Sequence, residues 1–393
     1  MKSVAERVAE FTEARRVMAM GLYPYFREIE GEQGTIVTMN GKSVLMMGSN
    51  NYLGLTDHPE VKAAAQKAID QYGTGCAGSR FLNGTLSIHT ECEEVLADFM
   101  GTEASLVYST GFMANQGVIS ALVGRDSYII IDKADHASII DAARLAYGKT
   151  IKYAHNDMED LEKKLSALSG KLCIIVIDGV FSMEGDIAKL PEICDIAEKY
   201  NAEVIVDDAH AIGVIGENGT GTASHFGIGD KILGTIGTFS KALASIGGFI
   251  ASSENIIHFL RHHSRALIFS ASPPPAGVAA VIKAVEIIKR EPERIERLME
   301  LTAYLRNALK QANFNIGQSE TPIIPIYVGE EMNAFKACMM LQAEGVFVNP
   351  VISPAVPPDK SLLRLSLMST LTEENLDFAM EKLIKVGKTL GFI

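Results

Sequence analysis

Between residues 100 and 252 the chain carries a series of short apolar runs: SLVYST (105–110), SYIIID (127–132), LCIIVID (172–178), AEVIVDD (202–208), ILGTIG (232–237) and GGFIAS (247–252). Within each run the apolar positions are continuous rather than alternating, the pattern of strands covered on both faces. Helical patterns such as LPEICDIAEKYN (190–201) separate several of them. The spacing therefore predicts βαβ units and a largely parallel, helix-covered sheet, with functional groups just past the carboxyl ends of its strands. From about residue 281 the character changes. A long helical stretch, VIKAVEIIKREPERIERLMELTAYLRNALKQANF, precedes IIPIYV (323–328), GVFVNP (345–350), LLRLSLMST (362–370) and a closing helix. This predicts a smaller α+β domain packed on the first. The expected division is 1–45 for an N-terminal helix and short strands, 46–280 for the large domain and 281–393 for the small one.

Composition narrows the function classes. At 393 residues, 47% hydrophobic and 21% charged, the chain can bury a large core and is not disordered. A formal charge of −12 without any Lys/Arg-rich run excludes a nucleic-acid surface and points to small molecules or proteins as partners. Cysteines 76, 92, 173, 194 and 338 are scattered, with neither CxxC nor zinc spacing, which fits a reducing compartment. The N-terminus, MKSVAERVAEFTEARRVMAMG, reads as an amphipathic helix with charges throughout rather than a signal peptide, and no stretch approaches ~18 uncharged apolar residues. The expectation is a cytoplasmic, soluble protein, with peripheral membrane contact through the first helix left open.

Candidate chemistry gathers at strand ends. IIIDKADH puts His136 just after one strand, VIVDDAH puts Asp207, Asp208 and His210 after another, and GTFSK puts Thr238, Ser240 and Lys241 after a third. Successive strand residues face opposite ways, so only one of Asp207 and Asp208 can serve a site, and the other is structural. A lysine, a buried carboxylate, two imidazoles and several small hydroxyls suit pyridoxal 5′-phosphate (PLP). A lysine amine forms a Schiff base with the cofactor aldehyde and a carboxylate keeps the pyridine nitrogen protonated. An imidazole can stack on the ring, a second can bond its phenolate oxygen, and STGFMAN (109–115), a strand end running into a helix start, can cradle the phosphate.

Competing motifs fail on context. GTGCAG (73–78) spells the dinucleotide fingerprint but follows the helical VKAAAQKAIDQY rather than a strand. Before GKS (41–43), Gly34 stands six residues from Gly41 where a P-loop needs four. The Asp/His pairs offer a metal no HExxH or i, i+4 ligand pair, and His262 and His263 read as solvated helix residues.

Across essentially the whole chain the sequence resembles the α-oxoamine synthases, PLP-dependent acyltransferases of the aspartate-aminotransferase fold type (PLP fold type I). The resemblance rests on GSNNYLGL (48–55), STGFMAN, DHASIIDAARL (135–145), DGVFSMEGDIAKLPEI (178–193), VDDAHAIGVIGENGTG (206–221), GTFSKAL (237–243), FSASPPP (269–275) and LLRLSLMST. Within the family, GTGCAGSRFLNGT (73–85) and GVFVNPVISPAVPPDKSLLR (345–364) resemble the soluble bacterial serine palmitoyltransferase branch. The resemblance implies a large domain with a mostly parallel seven-stranded sheet. It also implies condensation of L-serine with a long-chain acyl-CoA to 3-oxosphinganine, CoA and CO2. The alternatives are another branch, a glycine C-acetyltransferase (2-amino-3-ketobutyrate CoA ligase) or an 8-amino-7-oxononanoate synthase, and a noncatalytic partner subunit. The last is disfavoured by Lys241.

Position by position, the resemblance implies that Lys241 holds the cofactor and moves the Cα proton, His136 stacks on its ring, Asp207 pairs with its pyridine nitrogen and His210 bonds its phenolate oxygen. Gly111, Phe112, Thr238 and Ser240 would hold the phosphate, Ser182 would lie near the ring, and Ser270 would reach the cofactor of the neighbouring subunit in a homodimer. Asn51 and Arg364, with His136, would meet the substrate. Arg364 has support from the pattern alone, because Leu363, Leu365 and Leu367 share the opposite strand face; a half-exposed strand arginine is the competing reading. Leu371 stands where many family members carry a histidine.

Overall fold

The computed structural model describes residues 2–393. An N-terminal hairpin of β1 (Ile36–Met39) and β2 (Lys42–Met46) precedes the strands of the large sheet. These are β3 (Ala104–Tyr108), β4 (Ser127–Asp132), β5 (Lys149–Tyr153), β6 (Leu172–Asp178), β7 (Glu203–Asp207), β8 (Gly234–Thr238) and β9 (Gly248–Ser252). They lie in the order β3-β9-β8-β7-β6-β4-β5. Only β9 runs antiparallel to its neighbours; β8, β7, β6, β4 and β5 are parallel.

Each apolar run identified by pattern is one of these strands, and burial on both faces is the reason. Ile129, Ile131, Val176, Ile205 and Ile236 pack on one side against Ala114, Val118 and Ile139 of the helices Gly111–Leu122 and Ala137–Leu145. Ile130, Ile175, Ile177 and Val206 pack on the other against Leu161 and Ile193 of the helices Met158–Ser166 and Leu190–Tyr200. β5 escapes the pattern because, unlike those of β3 at the other edge, most of its side chains are not covered. Its KTIKY leaves Lys149, Thr150 and Lys152 exposed, the charged dressing of a sheet edge.

The C-terminal part supplies β10 (Ile323–Gly329), β11 (Val346–Phe347), β12 (Asn349–Val351) and β13 (Ser361–Ser366). β10, β13 and β12 form an antiparallel sheet, while β11 pairs in parallel with β2 and draws the N-terminal hairpin into this region. The long helical stretch is two helices, Pro275–Arg290 and Glu293–Gln311, broken at Glu291–Pro292. Proline cannot donate to the preceding turn and disfavours helical geometry in the residue before it, and Glu291 accordingly sits at φ −124°, ψ 62°. The division expected at 280/281 falls inside the first of these helices, which packs against the helix Pro59–Tyr72.

The single amphipathic helix expected at the N-terminus is instead a pair, Val4–Ala9 and Glu13–Ala19. The first is held by a capping box between Ser3 and Glu6 and buries no residue; the second buries Val17. Without tertiary contacts, helices this short gain little from propensity. Among the described residues no helix is long and apolar enough to cross a membrane.

Candidate active site

Parallel pairing aligns the strand ends. β6 and β7 are in register at Asp178 and Asp207, His136 lies four residues beyond β4, and Lys241 three beyond β8. All open on one cavity of about 310 Å³ at the carboxyl edge of the sheet, within the range of small-ligand sites. Gly111, Phe112, His136, Ser182, Asp207, His210, Thr238, Ser240 and Lys241 line it, so the structure brings together nearly all of the residues singled out by sequence. Asn51, Ser270 and Arg364 lie outside the lining.

Asp207 is 4% exposed and anchored, Oδ1 accepting the Ala209 N–H at 2.9 Å and Oδ2 the Asn115 amide at 2.6 Å. Burial brings the Lys241 amine down to about 8; Asp207 and Asp178 pull against this and Arg364 adds to it. His210 is held well below the ordinary histidine range by burial and by the cations Lys241 and Arg364, so its ring is neutral. Its Nδ1 lies 2.8 Å from the Tyr52 hydroxyl, which burial keeps protonated against the opposing pull of the Arg364 charge. His136 caps the helix Ala137–Leu145 and its N–H donates to Asp178 at 2.8 Å. The surrounding protein and Lys241 lower its pKa, against the pull of Asp207.

The neighbouring acid points the other way. Asp208 is fully buried and accepts the Thr222 N–H at 2.8 Å and the Thr222 hydroxyl at 2.6 Å, a structural task on the far face. The opposite end of the cavity is a cradle. Thr110 caps the helix Gly111–Leu122 by accepting the Met113 N–H, which leaves the first N–H groups of that helix directed at the cavity beside the Thr238 and Ser240 hydroxyls, 2.9 Å from each other. A Cβ on Gly111 would fall 2.7 Å from Thr238 Oγ1, so glycine is required for this approach.

Arg364 is 6% exposed, which rules out the half-exposed alternative. From β13 it donates to the Ser182 carbonyl at 2.5 Å, Ser366 Oγ at 2.6 Å and Asn50 Oδ1 at 3.1 Å. Asn50, not Asn51, is thus its asparagine neighbour; the Asn51 side chain bonds the Gln33 carbonyl and the Thr56 N–H, both at 3.3 Å. Ser270 lies in the segment that pairs with residues 78–79, where Ser272 donates to Gly78 and Ala271 bridges Ser79. Leu371 is buried in the large hydrophobic core. Tyr52, Asn115, Ser138 and Asp178 were not singled out by sequence; the only signal was a polar residue inside an otherwise apolar or motif-bearing stretch.

Residues 42–383 match the model of aminotransferase class I and II. The chain is 53% identical to a serine palmitoyltransferase of Sphingobacterium spiritivorum over 98% of this chain and 97% of that protein.

The chain belongs to the class I and II aminotransferase family.

A solved structure of serine palmitoyltransferase holding PLP superimposes with a TM-score of 0.97 at 33% identity, covering 100% of both chains. An 8-amino-7-oxononanoate synthase of Symbiobacterium thermophilum is 43% identical over 95% of this chain and 96% of its own. The resemblance to α-oxoamine synthases, and to their serine palmitoyltransferase branch, is borne out, as is PLP fold type I. PLP is the cofactor, and the donor set fits it. An anion cradle at a helix N-terminus, an anchored carboxylate, a neutral imidazole and a lysine of lowered pKa face one another across the cavity.

Proposed function

We propose that the protein condenses L-serine with a long-chain acyl-CoA such as palmitoyl-CoA, releasing CoA and CO2 and yielding the 3-oxo amino alcohol that opens sphingolipid synthesis. The observation that carries the reading is the convergence of Lys241, Asp207 and His210 on one cavity, with the buried Arg364 beside it. The likeness to serine palmitoyltransferases supports the choice of substrates.

When bound, PLP supplies an electrophilic aldehyde and a pyridinium ring that accepts electron density from Cα. Asp207, fixed by Asn115 and Ala209, holds the proton on the pyridine nitrogen. His210 and its Tyr52 partner present a neutral imidazole to the phenolate oxygen, and Gly111, Phe112, Thr238 and Ser240 hold the phosphate. Arg364, held by Asn50, grips the serine carboxylate, which orients the Cα–H bond, while His136 covers the ring and substrate. Lys241, with a pKa of about 8, is partly neutral near physiological pH and can take the Cα proton.

The protein acts in the cytoplasm as a homodimer, with Ser270 reaching the partner's cofactor. Exposed apolar residues support the dimer: Phe269 next to Ser270 is 73% exposed, Leu82 is 76% exposed, and Ile246 at the cavity is 69% exposed. Titrating the PLP-loaded protein with amino acids tests the assignment. Serine should change the visible absorption at the lowest concentration and support thiol release from palmitoyl-CoA; a preference for glycine or alanine would transfer the protein to another branch.

A further inference from the structure

A chain of hydrogen bonds runs through the cavity wall between two residues with separate duties. Asn115, 2% exposed on the helix Gly111–Leu122, forks its Nδ2 between Asp207 Oδ2 at 2.6 Å and Ser138 Oγ at 2.9 Å. Ser138, 1% exposed, places that oxygen 2.7 Å from His136 Nδ1, and the Ser138 backbone N–H approaches the same nitrogen at 3.3 Å.

The protons in this chain are countable. An ionised carboxylate offers only acceptors, so Asn115 must turn its NH2 toward Asp207; the flipped amide would set oxygen against oxygen. Both amide protons are then used, one on Asp207 and one on Ser138. The Ser138 hydroxyl receives the second and has a single proton of its own to give, which goes to His136 Nδ1. With an O–H and an N–H both aimed at Nδ1, a neutral ring carries its proton on Nε2. The fork has a cost. Asn115 Oδ1 is buried without a partner, and an orphaned acceptor lowers stability. A residue kept for packing alone would be an apolar one of the same shape, so the two N–H groups are the reason for an amide here.

We infer that Asn115 and Ser138 are positioning residues that hold His136 as an Nε2–H donor toward the cavity and couple its ring to the Asp207 carboxylate. The relay makes the pyridine partner and the ring-covering imidazole one rigid unit, so the orientation of one is inherited by the other. The donor then meets an oxygen of the substrate, the carboxylate of the amino acid or the carbonyl of the thioester. For that last point alone the inference rests on the proposed reaction.

The test is the tautomer itself. Protein labelled with 15N-histidine and supplied with PLP is examined by long-range 1H–15N correlation near neutral pH, and the His136 signals are assigned by their loss in His136→Ala. His136 should be protonated on Nε2 in the native protein. Ser138→Ala should give a mixture of tautomers and raise KM for the amino acid about tenfold with a smaller effect on kcat, the size of one lost hydrogen bond to a charged group. Ser138→Thr, which keeps the hydroxyl, should restore both. A native His136 protonated on Nδ1 would overturn the inference, and so would a folded Ser138→Ala with unchanged tautomer and KM. Should Ser138→Ala fail to fold, the native spectrum decides alone. An Nε2 tautomer that depends on Ser138 in a protein that turns over neither serine nor acyl-CoA would leave the relay standing and remove the proposed reaction.

Discussion

Replacing Asp208 by asparagine separates the duties of two adjacent acids. Its carboxylate fits where Gly179 and Gly221 lack side chains, since a Cβ on either would come within 2.0 or 2.2 Å of its oxygens. Burial outweighs the two hydrogen bonds from Thr222 and pushes its pKa from 3.8 up to about 7. That displacement corresponds to ~4 kcal/mol against the ionised folded form. Because the folded state binds the proton more tightly than the unfolded chain, stability from this group is present below the unfolded value and is lost as pH rises through about 7. Asparagine keeps the shape and does not titrate: its oxygen accepts the Thr222 N–H and its NH2 donates to Thr222 Oγ1. Urea unfolding of PLP-saturated protein should therefore show Asp208→Asn gaining about 2–3 kcal/mol relative to the native chain between about pH 5 and about pH 8. Asp208→Ala, which orphans both Thr222 groups, should be destabilised by about 2–4 kcal/mol near neutral pH. Asp207→Asn sets an NH2 against the N–H of Ala209 or Asn115 and should lose stability together with PLP affinity and turnover, without the pH-dependent gain expected of Asp208→Asn. Parallel pH profiles for the native chain and Asp208→Asn would refute the reasoning, because every other buried acid is common to both.

Arg364→Lys keeps the charge but loses the planar guanidinium whose Nε and Nη1 are held by Ser182, Asn50 and Ser366 and whose Nη2 is left for substrate, and kcat/KM for serine should fall at least about tenfold, ~1.4 kcal/mol for one charge-assisted bond, with KM for acyl-CoA little changed; an unaltered serine KM would remove the carboxylate role. Gly111→Ala drives a methyl to 2.7 Å from Thr238 Oγ1 and should weaken PLP binding at least about tenfold by equilibrium dialysis at unchanged circular dichroism, whereas native affinity would dissociate the cradle from the phosphate. Lys241→Ala should fold but carry no PLP mass after borohydride reduction and digestion, while the native protein carries it on the peptide containing residue 241; label on any other lysine would overturn the assignment.

What could be read from the sequence follows from where each signal is local. Strands buried on both faces announce themselves as apolar runs, so β3, at one sheet edge but fully buried, is as visible as β4, β6, β7, β8 and β9, whereas β5 at the other edge leaves most of its side chains exposed and gives no apolar run. The break at Pro292 was also local, yet a continuous helical pattern on both sides concealed it. In the site, Lys241, Asp207, His210 and His136 stood out because polar groups at the ends of buried strands are costly and demand a reason. Alternation placed Arg364 opposite its leucines but could not foresee its burial, which depends on Ser182 and Asn50, residues remote in sequence.

The same distinction explains why the supporting residues were invisible. Asn115 lies in a helix between the buried Ala114 and Val118, and its meaning exists only once β7 brings Asp207 to one of its N–H groups and the turn after β4 brings Ser138 to the other. A sequence pattern reports which face a side chain takes. It carries nothing about which donor meets which acceptor across three separate elements, and in this cavity that pairing sets the tautomer inferred for His136, while burial and the surrounding charges lower the pKa of Lys241 and of His210. The polar groups at the strand ends are therefore announced by their cost, while the partners that orient them are found only by counting hydrogens in the folded chain.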